Sequence, residues 1–381
     1  MVAGVSSFGF NGSIAHTVIT QGSRVTANQA RSSEVSRETN LFPNMKSFPW
    51  RSLAHPMLQQ STCPTSDESQ FEAVFHASLM DIMQDHTIQG RTLLPGAGFV
   101  EMALAAQLRH VGNRTPSGDA AGVELRDVAF LAPLDLQVGV KLSCDVTSGA
   151  GIEFYISDNS ESAAVLCSVR QAQVIDGMTV PAMSDLASLR ERCVESVPGV
   201  RERYVVLEDM GFHRTQFQTL EEVWRSEPGD ELMARLQVPV ASDIYHVHPA
   251  LLDGIFQLVG FVADSASSKG NDENNMALVP AAIGQVQFMK SLGGRHESFD
   301  RESGAWAGGR VVEVTNRGRI MHFDLYDSRT EAVAMCLRDF RFAELMPEPP
   351  TSALYESGWV EAEVPSSFMS SGDLSSSRVM V

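Results

Sequence analysis

Two groups of residues in this chain have types and spacings suited to moving protons. The first is His86-Thr87-Ile88-Gln89-Gly90-Arg91-Thr92-Leu93-Leu94-Pro95-Gly96. An imidazole titrates near neutrality, so His86 suits a general base. Gly90 loosens the run and Pro95-Gly96 turns it, and an apolar helical pattern follows at Phe99, Met102, Ala103 and Ala106. A histidine just ahead of a buried helix can have its position controlled. The second group is His248-Pro249-Ala250-Leu251-Leu252-Asp253-Gly254-Ile255-Phe256-Gln257. Pro249 fits the first turn of a helix, where its absent N–H is not missed. Asp253 and Gln257 then stand four residues apart on one face, with Leu251, Ile255, Leu258, Val259 and Val262 around them. A carboxyl group on a buried helix is costly unless paired or kept as the acid. An acid so kept can donate a proton; the plainer reading of Asp253 is a bond to backbone near the helix start.

The elements that must position these groups are legible in the periodicity. Residues 71–79 alternate as a strand, 97–110 have a helical period, and 123–130, 138–146, 151–157 and 164–173 are strand-like. Residues 176–202 read as a connector. The order then repeats: helical or loop sequence to Phe217, strands over 220–226 and 231–238, and a helix over 249–264. Strands near 277–290, 310–316, 319–327 and 331–343 follow. One apolar helix wrapped by antiparallel strands, occurring twice, implies a tandem α+β architecture. Residues 265–275 and 293–309 read as exposed loops. Polar stretches at 21–40 and from 364 onward read as linkers, and Val379-Met380-Val381 as the opening strand of a further domain.

Composition excludes several classes. The 381 residues carry a formal net charge of −18, which argues against nonspecific nucleic-acid binding. No apolar run reaches the roughly 18 residues of a membrane span, and the N-terminus lacks the pattern of a secretory leader. Five cysteines without a CxxC read as reduced thiols of an intracellular, cytoplasmic protein. His246-x-His248 could bind zinc as a strand pair, but no third ligand has suitable spacing; His248 as packing at a helix start is the favoured reading. Arg109, His110 and Arg114, or Arg201 and Arg203, could contribute to a local basic patch for an acidic partner, solvated surface charge being the favoured reading of each.

Taken together, the two motifs resemble those of the dehydratase domains of polyketide and fatty acid synthases. The spacing His-x3-Gly-x4-Pro is similar to the family's N-terminal active-site motif, and HPALLDGIFQ to its HPALLDxxxQ/H motif. Leu278-Val279-Pro280-Ala281-Ala282-Ile283-Gly284 resembles the downstream LPxxI segment, and His55-Pro56-Met57-Leu58 an HPLL-like entry whose histidine is structural. The resemblance covers 45–345 and implies a double hotdog: an N-terminal hotdog at 45–180, a connector at 181–202, a C-terminal hotdog at 203–345. It implies elimination of water from a 3-hydroxyacyl thioester on an acyl carrier protein, giving the 2-enoyl thioester. His86 would be the base, Asp253 the acid and Gln257 the residue orienting Asp253 or the hydroxyl. Gly90, Pro95, Gly96, His248, Pro249 and Phe217 would support them, with a backbone N–H near Gly96 bonding the thioester carbonyl. No metal or nicotinamide is implied; the substrate would ride the phosphopantetheine arm of the carrier protein. Carrier protein and neighbouring synthase domains are the implied partners, and a homodimer is compatible with the family.

Two further segments bear on the resemblance. Between the halves, the family's YGPxF-like motif is matched at Phe217, with Arg214-Thr215-Gln216 read over Tyr-Gly-Pro and His213 read as incidental. Gly4-Val5-Ser6-Ser7-Phe8-Gly9-Phe10-Asn11-Gly12-Ser13-Ile14-Ala15-His16 is hairpin-like and resembles the C-terminal end of a ketosynthase, with Ser13-Ile14 in place of Thr-Asn. Residues 1–20 are accordingly read as a ketosynthase remnant, 21–44 as a linker, and 346–381 as a linker onward. A double-bond isomerase or product-template-like cyclase on the same fold, or an inactive scaffold, are the alternatives.

Overall fold

Alternation builds the strands of this protein, and a 3.6-residue period builds its core helices. The computed structural model describes residues 2–8, 14–20, 55–62, 67–112, 121–156, 164–176, 178–179, 181–240, 244–262, 278–289, 299, 303–315, 318–344, 359–360 and 379–380. Two units separate, Met1–Phe48 and Pro49–Val381. In the first, β1 (Val2–Phe8) and β2 (Ile14–Thr20) form an antiparallel hairpin with Ser6 opposite His16. The linker at 21–44, most of 346–381, the loop at 265–275 and Arg114 lie outside the described residues.

The second unit opens with β3 (Gln60–Thr62) and β4 (Glu68–Val74), then helix α1 (Ala77–Met83). The two-residue strands β5 (Thr87–Ile88) and β6 (Arg91–Thr92) lead into α2 (Gly96–Gly112). Four strands complete this half: β7 (Ala121–Phe130), β8 (Lys141–Thr147), β9 (Gly151–Ile156) and β10 (Val165–Asp176). The connector holds α3 (Leu186–Arg192), β11 (Glu195–Ser196) and α4 (Val200–Asp209). Strands β12 (Leu220–Arg225) and β13 (Glu231–Leu236) precede α5 (Pro249–Gln257). The second half closes with β14 (Leu278–Met289), β15 (Ala305–Thr315), β16 (Gly318–Tyr326) and β17 (Val333–Glu344). A short pair, β18 (Trp359–Val360) and β19 (Val379–Met380), is antiparallel.

Thirteen of these strands form one sheet in the order β11-β12-β13-β15-β16-β17-β14-β7-β10-β9-β8-β4-β3. The halves join where β7 pairs antiparallel with β14, Val128 opposite Ile283 and Glu124 opposite Gln287. Burial alone would raise the Glu124 carboxyl, but donors from Arg126, Gln285, Gln173 and Gln287 outweigh it and bring it to about 2. Glu124 thus ties both halves of the seam. Each half wraps one apolar helix. α2 packs on β7, β8 and β10 and against α5. Ala97, Val100, Met102, Ala103, Leu104 and Ala106 of α2 are fully buried, so the helix is apolar on nearly every face, as a core helix must be. Each large side chain so removed from water contributes about 1.5–3 kcal/mol. This is the double hotdog the two motifs imply.

Several boundaries differ from the periodicity. Alternation ends at Val74, because Leu79 and Met83, four apart, are the buried pair of α1 rather than strand residues. The second core helix tightens into a 3-10 turn at Leu258–Phe261, short of residue 264. Residues 138–140 are turn, and β8 starts at Lys141. Residues 305–309 are not loop but the start of β15, where Gly308 lies against Leu189 and Tyr326. His110 is buried between Ser69 and Ser148, so it cannot join a surface basic patch. Among the described residues no helix is long and apolar enough to cross a membrane.

Candidate active site

A tight hairpin explains the spacing of the first motif. Gln89 and Gly90 both have left-handed backbone, with φ of 51° and 78°, the pair a two-residue turn of this type requires. The turn sets His86 opposite Leu93: Leu93 N donates to His86 O at 3.2 Å, and His86 Nδ1 donates to Leu93 O at 2.7 Å. With Nδ1 carrying the proton, the lone pair is on Nε2, which faces the site. Pro95 O then accepts from Gly98 N at 2.8 Å and so opens α2, while Gly96 packs on Phe130 and Pro280.

The second motif is fixed at its start by a residue of the first helix. Glu101, an acid set among the apolar positions of α2, is fully buried like them and accepts from His55 Nε2 at 3.0 Å, His246 N at 2.6 Å and Val247 N at 2.9 Å. Burial would raise this carboxyl; its bond to His55, the nearby His246 and the backbone donor of Val247 together leave it lowered. His55 is thus structural, as its place in the sequence suggested. His248 caps α5, its Nδ1 accepting from Ala250 N at 3.1 Å, with Pro249 in the first turn. His248 Nδ1 is taken by the helix cap, and among the described residues His246 and His248 join no group of three possible metal ligands.

One turn on, Asp253 is 4% exposed. Its Oδ2 accepts from Gln257 Nε2 at 2.8 Å, and its Oδ1 stands 3.8 Å from His86 Nε2. Its partner is therefore a side chain, not backbone. Gln257 is held in turn: Nε2 also donates to Phe217 O at 2.9 Å, and Oε1 accepts from the Tyr204 hydroxyl at 2.6 Å. That hydroxyl accepts from Leu220 N at 3.2 Å. Burial pushes Tyr204 far above its usual range; the Leu220 bond opposes this and Asp253 adds to it, so it stays a donor. The Phe217 ring covers His86 edge-on at 5.1 Å.

His213 is in the site, against its reading as incidental. Its ring centre is 5.0 Å from that of His86. Burial lowers its imidazole to about 4, a fall that Asp253 opposes and His86 adds to. Its Nδ1 is buried without a hydrogen-bond partner. The motif's own spacing anticipates this: YGPxF sets the tyrosine four residues before the phenylalanine, and four before Phe217 is His213. Arg214, Thr215 and Gln216 are exposed instead. The segment is stapled to the first motif, with Gly90 N donating to Gly211 O, His213 N to Thr87 O and Arg214 N to Asp85 O. Gln216 N adds a bond to Asp85 Oδ2 at 3.0 Å. These bonds hold His213 at a φ of 26°, a conformation most side chains avoid. Tyr204 and Glu101 also escaped the sequence reading. Tyr204 gives no local signal, whereas a lone acid inside an apolar helix is one.

Fold and site together define a double-hotdog dehydratase domain. Residues 55–159 match the family model "polyketide synthase dehydratase domain", and 181–348 match "polyketide synthase dehydratase N-terminal domain". The chain belongs to the polyketide synthase dehydratase family. Polyketide synthase PksM of Bacillus subtilis is 23% identical over 68% of the chain, and PksL of the same organism 26% over 82%. The chain spans only 6% and 7% of those two proteins. The dehydratase domain from the CurF module of curacin polyketide synthase superposes with a TM-score of 0.61 at 18% identity, over 77% of this chain and 99% of that one. An isomerase-inactive variant of GphF DH1 gives 0.62 at 17%, over 79% and 99%.

Proposed function

We propose that this domain eliminates water from a 3-hydroxyacyl thioester carried on the phosphopantetheine arm of an acyl carrier protein. One observation carries the reading: His86 Nε2 and Asp253 Oδ1 face each other across 3.8 Å in a buried site. That is too long for a hydrogen bond and suits two groups acting on adjacent atoms of one substrate. His86 Nε2 takes the C2 proton, and the C2–H pair becomes the C2=C3 bond. The C3–O bond breaks, and the hydroxyl leaves as water with the proton Asp253 supplies. Transfer of a proton from His86 back to Asp253 resets the pair. Leu93 O fixes the base's tautomer, and Gln257, braced by Tyr204 and Phe217 O, fixes the acid. The backbone N–H groups at the start of α2, near Gly96, suit the enolate oxygen. Structures of the CurK dehydratase support the pairing: one inactive mutant carries phenylalanine for a histidine, another asparagine for an aspartate.

The same reading takes the domain as part of a modular synthase, with a carrier protein and neighbouring domains as partners. Residues 1–20 would be the end of a ketosynthase, on the strength of their motif. The purified chain, given a 3-hydroxyacyl carrier-protein thioester, should release one water, read by mass. Turnover should vanish in His86→Ala and Asp253→Asn. Full activity in either variant refutes the assignment; a shifted double bond or a ring-closed product would select the isomerase or cyclase.

A further inference from the structure

His86, His213 and Asp253 come from three distant stretches of the chain, yet each offers a ligating atom and all three atoms lie within 4.8 Å of one another. Two of them, His86 Nε2 and Asp253 Oδ1, are 3.8 Å apart. Tetrahedral zinc with bonds of about 2.0–2.2 Å separates its ligand atoms by roughly 3.3–3.6 Å. Closing the cluster on an ion thus requires small ring rotations, not a rebuilt backbone. We infer that this cluster is a binding site for a divalent transition-metal ion, zinc above all, and that the ion silences the site by occupying both proton-transfer groups.

The donor set is two imidazoles and a carboxylate, which suits zinc and its neighbours better than calcium or magnesium. For two of the three ligands the outer contacts a metal site needs are already in place. Leu93 O holds His86 Nδ1, leaving Nε2 as the ligand, and Gln257 holds Asp253 Oδ2, leaving Oδ1. His213 brings the independent observation: its Nδ1 is buried and has no hydrogen-bond partner, though the backbone around it is tightly stapled. No sequence spacing marks such a site, because its ligands meet only in the fold. Among the described residues this is the one such cluster. Metal binding rests on geometry alone; the silencing rests on the dehydratase reading.

The test uses the full chain stripped with a chelator and titrated with ZnCl2 by calorimetry. Co2+ serves as a visible probe of coordination. One equivalent should bind, with a cobalt band of four-coordinate intensity. His213→Ala and Asp253→Asn should each weaken binding at least tenfold, and Gln257→Leu, an outer contact, about tenfold. Metal-free melting temperatures check that the variants fold, and His213→Gln serves if His213→Ala does not. Absence of saturable uptake at one equivalent, or unchanged affinity in the His213 variants, overturns the site. In the wild type zinc should stop dehydration, and chelator should restore it. Stoichiometric binding that leaves turnover intact would uphold the metal site and overturn the catalytic roles of His86 and Asp253 instead.

Discussion

Glu101→Leu should destabilise the protein by far more than the loss of one surface charge. Glu101 accepts three bonds, two from the backbone N–H groups of His246 and Val247 and one from His55. Replacing a buried charge by an apolar side chain is often neutral when its partners are replaced too. Here two partners are backbone and cannot be replaced. Each buried donor left without an acceptor costs about 1–3 kcal/mol. The His55 side chain, 13% exposed, can turn to water. The expected loss is about 3–5 kcal/mol, or roughly 6–12 °C in melting temperature. Glu101→Gln keeps one acceptor oxygen and should lose about half as much. Because the freed segment leads straight into α5, kcat well below the melting point should fall by about 10- to 100-fold through misplacement of Asp253. Urea midpoints and turnover of the two variants measure this. Loss of less than about 1 kcal/mol in Glu101→Leu would refute the argument that this carboxylate holds the start of α5.

Other expectations follow from the same geometry. Burial holds the His248 imidazole at about 4, against an ordinary 6.5, with Glu101 opposing the shift. The unfolded chain therefore binds that proton first as pH falls. The stability involved is intact above about 6.5 and is lost down to about 4, on the order of 3 kcal/mol. His248→Asn keeps a cap acceptor without the titration, so its urea midpoint should depend less steeply on pH; an unchanged slope refutes this. In Gly254→Ala the added Cβ would sit 2.0 Å from Thr219 Oγ1 and 2.9 Å from Leu236 Cδ2, costing about 1–3 kcal/mol. Adding Thr219→Ala should recover part of that in thermal melts; no recovery would place the clash elsewhere. Tyr204→Phe removes the hydroxyl braced between Gln257 and Leu220 N. It should lower kcat about tenfold with KM little changed, and an unaltered kcat would show that Gln257 needs no brace.

Much of the site was legible because its chemistry is local. The break at Gly90 and the placing of His248 at a helix start are each set within a few residues, so spacing records them. Gln257 was readable for the same reason, four residues from Asp253 on one helix. What escaped depends on contacts across the fold. Tyr204 meets Gln257 from 53 residues away, and His213 meets His86 only after the segment behind α4 has folded back on the first motif. The strand predicted over 71–79 holds to Val74 and fails only beyond it, where a short apolar run satisfies both periods and only packing chooses between them. The loop predicted over 293–309 fails at 305–309, because Gly308 and Gly309, read as turn signals, serve close strand packing.

The seam between β7 and β14 has a consequence for the chain as it is being made. β7 ends at Phe130 and its partner begins at Leu278, about 150 residues later. At about 5–20 residues per second, a ribosome takes roughly 7–30 s to deliver that partner. During that interval the N-terminal half can wrap its helix, but a ten-residue edge containing Glu124 stays unpaired. Glu124, with a charge that resists burial against another chain, guards that edge until Gln285 and Gln287 arrive. The residue that locks the finished halves together is thus also suited, as a charge on an open edge, to disfavour pairing of the nascent half with the wrong one.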